Sequence, residues 1–134
     1  MSAFFDTNIL IYAYSTDARR DRALDTIAGG GVISVQVLNE FTNVLRKKQK
    51  QDWPTIEAAL GSLRLRFPDV MALTTNTHAA ALALAPDHTL PLYDALIVAS
   101  ATEAGCDTLF SEDMQHSRVI DGLTIVNPFL ESVP

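Results

Sequence analysis

The chain has 134 residues, 48% of them hydrophobic and 19% charged, a composition typical of a folded globular domain and not of a disordered or collagen-like chain. No apolar run approaches the roughly 20 residues of a membrane span, and the single cysteine, Cys106, excludes an intrachain disulfide and a multi-cysteine zinc site. The net charge is -6, and the N-terminus does not resemble a signal peptide, so we expect one cytoplasmic domain over residues 1–134 that makes no membrane contact.

The pattern of apolar residues, caps and breakers predicts short strands alternating with helices. Strands are expected at residues 3–5, 32–33, 70–73, 108–110 and 123–126. Helices are expected at residues 8–14, 17–28, 34–48, 52–67, 77–84 and 92–104. Ser34 and Asp52 are expected N-caps, and two prolines predict a loop over residues 86–91.

This order of elements predicts an α/β fold with a mainly parallel β-sheet flanked by helices on both faces. In such sheets, ligand sites form beyond the carboxyl ends of the strands. Acidic residues at those strand ends are therefore candidates for chemistry.

Four acidic residues can reach that edge of the sheet. Asp6 ends the first strand, and Asp113 follows the strand at residues 108–110. Glu40 lies on the flank of an apolar helical stripe, and Asp94 opens an apolar helix. Each alone can be interpreted as a helix cap, an Asx turn or a loop residue. Because all four can reach one edge, a shared site explains them better than four separate roles.

Four neighbouring carboxylates repel each other unless protons or a divalent cation offset their charge. Ligands that are all oxygen suit Mg²⁺ or Mn²⁺ better than zinc. The hydroxyls of Thr7 and Ser111 lie beside the same edge and can either orient a ligand or form turns.

The charges are unevenly distributed, with a balance of +2 over residues 1–66 and -8 over residues 67–134. The basic residues of the first part form either a rim that binds phosphates or ordinary solvated helix faces. They are Arg19, Arg20, Arg22, Arg46, Lys47, Lys48, Lys50, Arg64 and Arg66.

Four segments resemble the acidic motifs of PIN domains, in order and across nearly the whole chain. They are Phe5-Asp6-Thr7-Asn8-Ile9-Leu10, Ser34-Val35-Gln36-Val37-Leu38-Asn39-Glu40-Phe41, Tyr93-Asp94-Ala95-Leu96-Ile97 and Leu109-Phe110-Ser111-Glu112-Asp113-Met114. Within that family, the chain is most similar to toxins of the VapC type.

The resemblance implies an endoribonuclease that uses Mg²⁺ or Mn²⁺ and leaves a 5′-phosphate and a 3′-hydroxyl. It implies a toxin that is usually a homodimer and is silenced by a small antitoxin protein. Asn8 and Ser111 would support the site by hydrogen bonding. The metal-binding and catalytic positions implied by the family are Asp6, Glu40, Asp94 and Asp113.

The sequence departs from the family where many members carry a further acid after the fourth motif, since Met114 follows Asp113 here. Glu112 can substitute for that acid, and His116 is interpreted as a surface loop residue. An aspartyl-phosphatase or a receiver domain is excluded, because position 8 is asparagine and no lysine follows a late strand. A PIN-fold domain that processes or binds RNA without being a toxin is the alternative.

Overall fold

The computed structural model describes residues 2–130, and the predicted domain over residues 1–134 extends past both ends of this range. The described strands are β1 Ala3–Phe5, β2 Ile33–Ser34, β3 Val70–Met71, β4 Thr108–Phe110, β5 Val119–Ile120 and β6 Leu123–Val126. The described α-helices are α1 Thr7–Ala13, α2 Arg20–Ile27, α3 Val35–Asn43, α4 Trp53–Arg66, α5 Thr75–His88 and α6 Leu92–Glu103.

The strands form a mainly parallel sheet. Four of them lie in the order β1-β4-β6-β5, in which β5 is the antiparallel member, and β2 pairs in parallel with β3. A parallel bridge between Phe4 and Val32 links the two groups of strands. The predicted α/β class with a mainly parallel sheet is therefore confirmed.

The central strand β1 is buried along its whole length. Because successive strand side chains point to opposite faces of a sheet, burial of all three residues shows that both faces are covered. Helix α6 is buried over residues 95–101, as its few polar positions predict. No helix within residues 2–130 has both the length and the apolar character needed to cross a membrane.

Gly31 allows the chain to pass close to β1 between α2 and β2. A Cβ atom at this position would lie 2.5 Å from Cε2 of Phe5 and 2.6 Å from the carbonyl oxygen of Ala3. Val32 then exchanges backbone hydrogen bonds with Ala3 and Phe5. Only glycine fits at position 31 without a shift of these atoms, and the close approach sets β2 beside β1.

The predicted loop over residues 86–91 is wrong in its first part, because α5 continues through Pro86 to His88. A proline near the end of a helix removes a single backbone hydrogen bond. The helix then closes in a turn that adds backbone hydrogen bonds, since the N–H groups of Thr89 and Leu90 both donate to the carbonyl oxygen of Ala85. Thr89 adopts the left-handed conformation that commonly ends helices.

Two element boundaries differ from the prediction, and one strand was not predicted. Helix α2 begins at Arg20 and not at Asp17, because the Asp17 carboxylate instead accepts from the backbone and side chain of Arg19. The strand predicted at residues 70–73 is paired only over β3. Strand β5 was not predicted; it forms a hairpin with β6 through two residues of positive φ, Asp121 and Gly122.

The helix predicted to end at about Lys48 does so, but its last turn is wider than an α-helix. Residues 44–48 form a π-helical turn after α3, in which the backbone N–H of Gln49 donates to Val44. Such turns often occur near functional sites. The turn carries three basic residues, Arg46, Lys47 and Lys48.

Candidate active site

Asp6 lies at the carboxyl end of β1, where it also serves as the N-cap of α1. Its Oδ1 accepts from the backbone N–H of Thr7 at 2.7 Å, and its Oδ2 accepts from the Ser111 hydroxyl at 2.7 Å. The side chain is only 4% exposed. Burial, together with the nearby Asp94 and Asp113, raises the pKa of Asp6 to about 6 against the opposing effect of these two hydrogen bonds.

Glu40 reaches the same place from α3. It is half-buried, and its Oε2 accepts from the Thr7 hydroxyl at 3.4 Å. Burial raises the pKa of Glu40 to about 7; Asp6 and Asp94 also raise it, while hydrogen bonds from Gln36 and Thr7 lower it. Its carboxyl group is therefore partly protonated at neutral pH, which is the range in which a general base is most effective.

Asp94 lies in the first turn of α6 but does not cap it, because Pro91 is the N-cap residue. Burial raises the pKa of Asp94, and so does the charge of Asp113. Its interpretation as a simple helix cap is therefore excluded. The carboxylate is half-buried beside another acid, and the helix end gains no capping bond from it.

Asp113 is exposed in the loop after β4. Its Oδ2 accepts from the Asn8 side-chain amide at 2.6 Å, and its backbone N–H donates to the Ser111 hydroxyl at 3.3 Å. Burial and then the neighbouring Glu112 raise the pKa of Asp113, while Asn8 and Lys48 lower it. Asn8 and Ser111 therefore make the supporting hydrogen bonds that the sequence analysis expected of them.

The structure thus places all four predicted acids near one sheet edge. Asp94 and Asp113 raise the pKa of Asp6, and Asp6 and Asp94 raise that of Glu40. Asp113 in turn raises the pKa of Asp94. Among residues 2–130, however, no three acid, histidine or cysteine side chains are already arranged to hold a metal ion. The four carboxylates supply only oxygen atoms, which are the ligands that Mg²⁺ and Mn²⁺ prefer. The donor set therefore fits such an ion, and ion binding would have to draw the carboxylates inward.

Glu112 lies next to Asp113 but is held by other partners. Its Oε1 accepts from the Tyr12 hydroxyl at 2.7 Å, and its Oε2 accepts from Arg19 at 3.1 Å. The Arg19 guanidinium also stacks over the Tyr12 ring at 4.0 Å. Both Glu112 oxygens are therefore engaged away from the acid group, which opposes the suggestion that Glu112 substitutes for the missing acid.

Tyr12 was not among the residues predicted for the site, although its position in the sequence could have indicated its role. It lies four residues after Asn8 on α1, hence on the same helix face, and that face meets the loop carrying Glu112 and Asp113. His116 lies in the same loop, where its Nδ1 accepts from the backbone N–H of Asn127 at 3.0 Å. This bond gives His116 a structural part in holding the loop.

The basic residues do not form one surface. Lys48 lies close enough to the site to lower the pKa of Asp113, and Arg46 stacks over the Trp53 ring at 4.9 Å. Arg19 is tied to Glu112, and Arg66 donates to the backbone of Ile27. The π-helical turn therefore carries the basic group that lies beside the acids.

Comparisons with solved structures place this arrangement among known folds. A toxin–antitoxin complex from Klebsiella pneumoniae is 27% identical, with a TM-score of 0.71 over 96% of this chain and 98% of that chain. VapC20 from Mycobacterium tuberculosis, a toxin that cleaves the sarcin–ricin loop, is 23% identical, with a TM-score of 0.69 over 84% and 92%. VapBC2 from Rickettsia felis, bound to a promoter DNA fragment, is 19% identical, with a TM-score of 0.67 over 93% and 97%.

No curated protein matches the chain in sequence. The family model of the PIN domain matches residues 3–121, which span β1 to the hairpin after β5 and include all four acids. The chain is therefore a member of the PIN domain family.

Proposed function

We propose that this protein is a metal-dependent endoribonuclease that hydrolyses RNA phosphodiester bonds and acts as the toxin of a toxin–antitoxin pair. The observation that carries the proposal is the convergence of Asp6, Glu40, Asp94 and Asp113 on one sheet edge, where partial or full loss of hydration and the charge of a neighbouring acid raise each pKa. Perturbed carboxylates of this kind are costly to maintain and are concentrated at functional sites. Membership of the PIN family and the toxin–antitoxin neighbours support the same assignment.

In this proposal, the four acids hold Mg²⁺ or Mn²⁺ when RNA is cleaved. Such an ion supplies a lowered pKa for the attacking water and offsets the charge on the leaving oxygen. Ser111 and the backbone of Thr7 fix the orientation of the Asp6 carboxylate, and Asn8 fixes that of Asp113. Glu40, half-buried beside Asp6 and Asp94, would either join these acids as a ligand or accept the proton of the attacking water.

The chemistry is tested by incubating a structured RNA with the purified protein in Mn²⁺ and in EDTA. Cleavage in Mn²⁺, its loss in EDTA and little action on duplex DNA are expected. Asp6→Asn and Asp94→Asn should each abolish cleavage, whereas Asp69→Asn, an exposed aspartate before β3, is the matched control and should cleave normally. Equal cleavage by Asp6→Asn would refute the assignment of the site, and binding without cleavage under all conditions would favour the RNA-binding alternative.

RNA binding is expected to use the basic π-helical turn, because Lys48 lies beside the acids. Each phosphate contact adds roughly 0.7–0.9 to the slope of log affinity against log salt concentration. Replacing the three basic residues of the turn should therefore lower that slope by about 2 to 3. An unchanged slope would show that Arg46, Lys47 and Lys48 form only a solvated helix face.

The antitoxin is expected to occupy a groove between α1, α2 and α4. The groove encloses about 1070 Å³, and Tyr14, Leu24 and Leu65 expose apolar surface along it. An amphipathic helix fits an apolar groove of this kind. Ile9 and Leu10 do not contribute, because they are buried in the core.

This groove lies at the far end of α1 from Asp6, about 10 Å away at 1.5 Å per helical residue. The partner would therefore have to extend past the groove, with an arginine as the most suitable side chain to reach the acids. Co-expression with the product of the adjacent gene tests the partnership. Two results together would refute the toxin assignment: harmless expression of the protein alone, and no small protein that co-purifies with it.

Analytical ultracentrifugation of the protein alone tests the expected homodimer.

A further inference from the structure

A second cavity, smaller than the groove, opens directly beside Glu40. It encloses about 320 Å³, and its walls come from one face of α3 and from the start of α6. The lining residues are Gln36, Asn39, Glu40, Asn43 and Tyr93. Positions 36, 39, 40 and 43 recur at the spacing of one helix face, so α3 presents a stripe of amide side chains to the cavity.

Tyr93 forms the opposite wall, and its aromatic ring does not contribute to the hydrophobic core. Its side chain is 62% exposed, although it immediately precedes a helix segment that is almost wholly buried. It also immediately precedes Asp94. The cavity is therefore lined by one of the proposed catalytic acids, Glu40, and by the aromatic residue that precedes another, Asp94.

The chemistry of the lining points to an uncharged, planar ligand. The described lining offers three amides, one phenol and one carboxylate, and it contains no lysine or arginine that would attract a phosphate. Amide side chains both donate and accept hydrogen bonds, as the edges of nucleobases do. An exposed aromatic ring is a surface on which an unpaired base stacks. The volume lies at the lower end of the range for small-ligand sites, which suits one ring system.

We propose that this cavity binds one unpaired nucleobase of the RNA, next to the phosphodiester bond that is cleaved. Tyr93 stacks on the base, and Asn39 and Asn43, both exposed, contact its hydrogen-bonding edge. Gln36 is buried in the same lining as Glu40, so the cavity adjoins the proposed base of the reaction. This inference rests on the proposed function, since it names the substrate feature that the same site recognises.

The test measures binding of fluorescein-labelled ten-nucleotide RNAs to the full chain in EDTA, by fluorescence anisotropy. The RNAs are homopolymers of adenylate, cytidylate and uridylate, together with an abasic ribose-phosphate chain of equal length. Tyr93→Ala should weaken binding of the base-bearing RNAs about ten-fold, as expected for the loss of one stacked base. Tyr93→Phe keeps the ring and should bind within about three-fold of wild type.

Two further variants make the result specific. Leu82→Ala removes another exposed apolar side chain, on α5, and should leave binding unchanged. Replacing Asn39 and Asn43 by alanine together should reduce the differences in affinity among the three homopolymers, because those amides are proposed to read the base edge. Circular dichroism checks that each variant is folded.

Three results would overturn the proposal. The first is equal binding of RNA by wild type and Tyr93→Ala, and the second is equal binding of the abasic chain and the base-bearing RNAs. The third is conversion of a wild-type dimer to a monomer by Tyr93→Ala, which would make Tyr93 a contact between subunits. The proposed function fails separately, if wild type cleaves no RNA in Mn²⁺. If wild type cleaves RNA normally and Tyr93→Ala does not change RNA binding, only the proposed base site is refuted.

Discussion

Replacing Asp6 by asparagine is expected to stabilise the metal-free fold at alkaline pH and to leave its stability unchanged at acid pH. The Asp6 carboxyl group is 4% exposed, and its pKa rises from 3.8 to about 6. At about 1.4 kcal/mol for each pKa unit, this elevation corresponds to a cost of about 3 kcal/mol when the group is ionised in the fold. The asparagine removes that charge and keeps the size of the side chain.

The direction of the pH dependence follows from where the protons are bound. Below about pH 4, Asp6 is protonated in both folded and unfolded chains, so it costs nothing. Between pH 4 and pH 6, the folded chain holds the proton more tightly than the unfolded chain, and stability falls as the pH rises. Above pH 6 the full cost is present. The hydrogen bond from Ser111 survives in Asp6→Asn only if the hydroxyl reorients, so we expect a net gain of about 1–3 kcal/mol at pH 8.

The assay is urea unfolding in EDTA from pH 4 to pH 8, with the exposed Asp69→Asn as a matched control expected to stay within about 0.5 kcal/mol of wild type. Mn²⁺ should then reverse the order of the two proteins. An ion at one thousand times its dissociation constant stabilises the wild type by about 4.1 kcal/mol, more than the expected advantage of Asp6→Asn, which should bind the ion poorly. A loss of stability in Asp6→Asn at pH 8, or a difference that does not vary with pH, would refute the electrostatic reasoning.

Three other changes have defined outcomes. Ser111→Ala removes the hydroxyl bound to Asp6 and should weaken Mn²⁺ binding about ten- to one-hundred-fold by calorimetric titration; equal affinity would mean that Ser111 does not orient the ligand. Glu112→Gln keeps an acceptor oxygen for only one of Tyr12 and Arg19, but it removes none of the four proposed ligands, so RNA cleavage should stay near the wild-type rate, and a loss as large as that of Asp94→Asn would make Glu112 a ligand after all. Gly31→Ala places a methyl group 2.5 Å from the Phe5 ring and should cost about 2–3 kcal/mol in urea unfolding, so wild-type stability would contradict the close approach.

The order of most helices and strands could be predicted because buried positions are apolar and recur in the sequence with the spacing of a helix or a strand. Strands β1, β4 and β6 are short apolar runs, and Ser34 and Asp52 cap α3 and α4 as their positions before apolar stripes predict. Elements governed by a single local contact were less predictable. The Asp121-Gly122 pair is a strong signal for a two-residue hairpin and could have revealed β5, which is otherwise too short to show a period.

The four acids could be selected from the sequence because they follow strands or interrupt apolar helix faces. Their partners depended on three-dimensional contacts. Glu112 can bond Tyr12 and Arg19 only because α1 and the loop after β4 meet in the fold, and the residues next to Glu112 in the sequence do not predict this contact. The π-helical turn was equally hidden, because its residues are also consistent with an ordinary helical turn.

The parallel pairing of β1 with β4 makes the site a late product of protein synthesis. Asp6 is translated almost first, but Ser111, which orients it, comes 105 residues later, as does Asp113 relative to Asn8. At about 5–20 residues per second, the ribosome needs roughly 5 to 20 seconds to add the missing half of the site. Until then, the growing chain holds Asp6, Glu40 and Asp94 but lacks Asp113 and the Ser111 hydroxyl that orients Asp6. A fragment that ends before β4 therefore lacks part of the proposed site, which stays incomplete on the ribosome until β4 and the loop after it have been made.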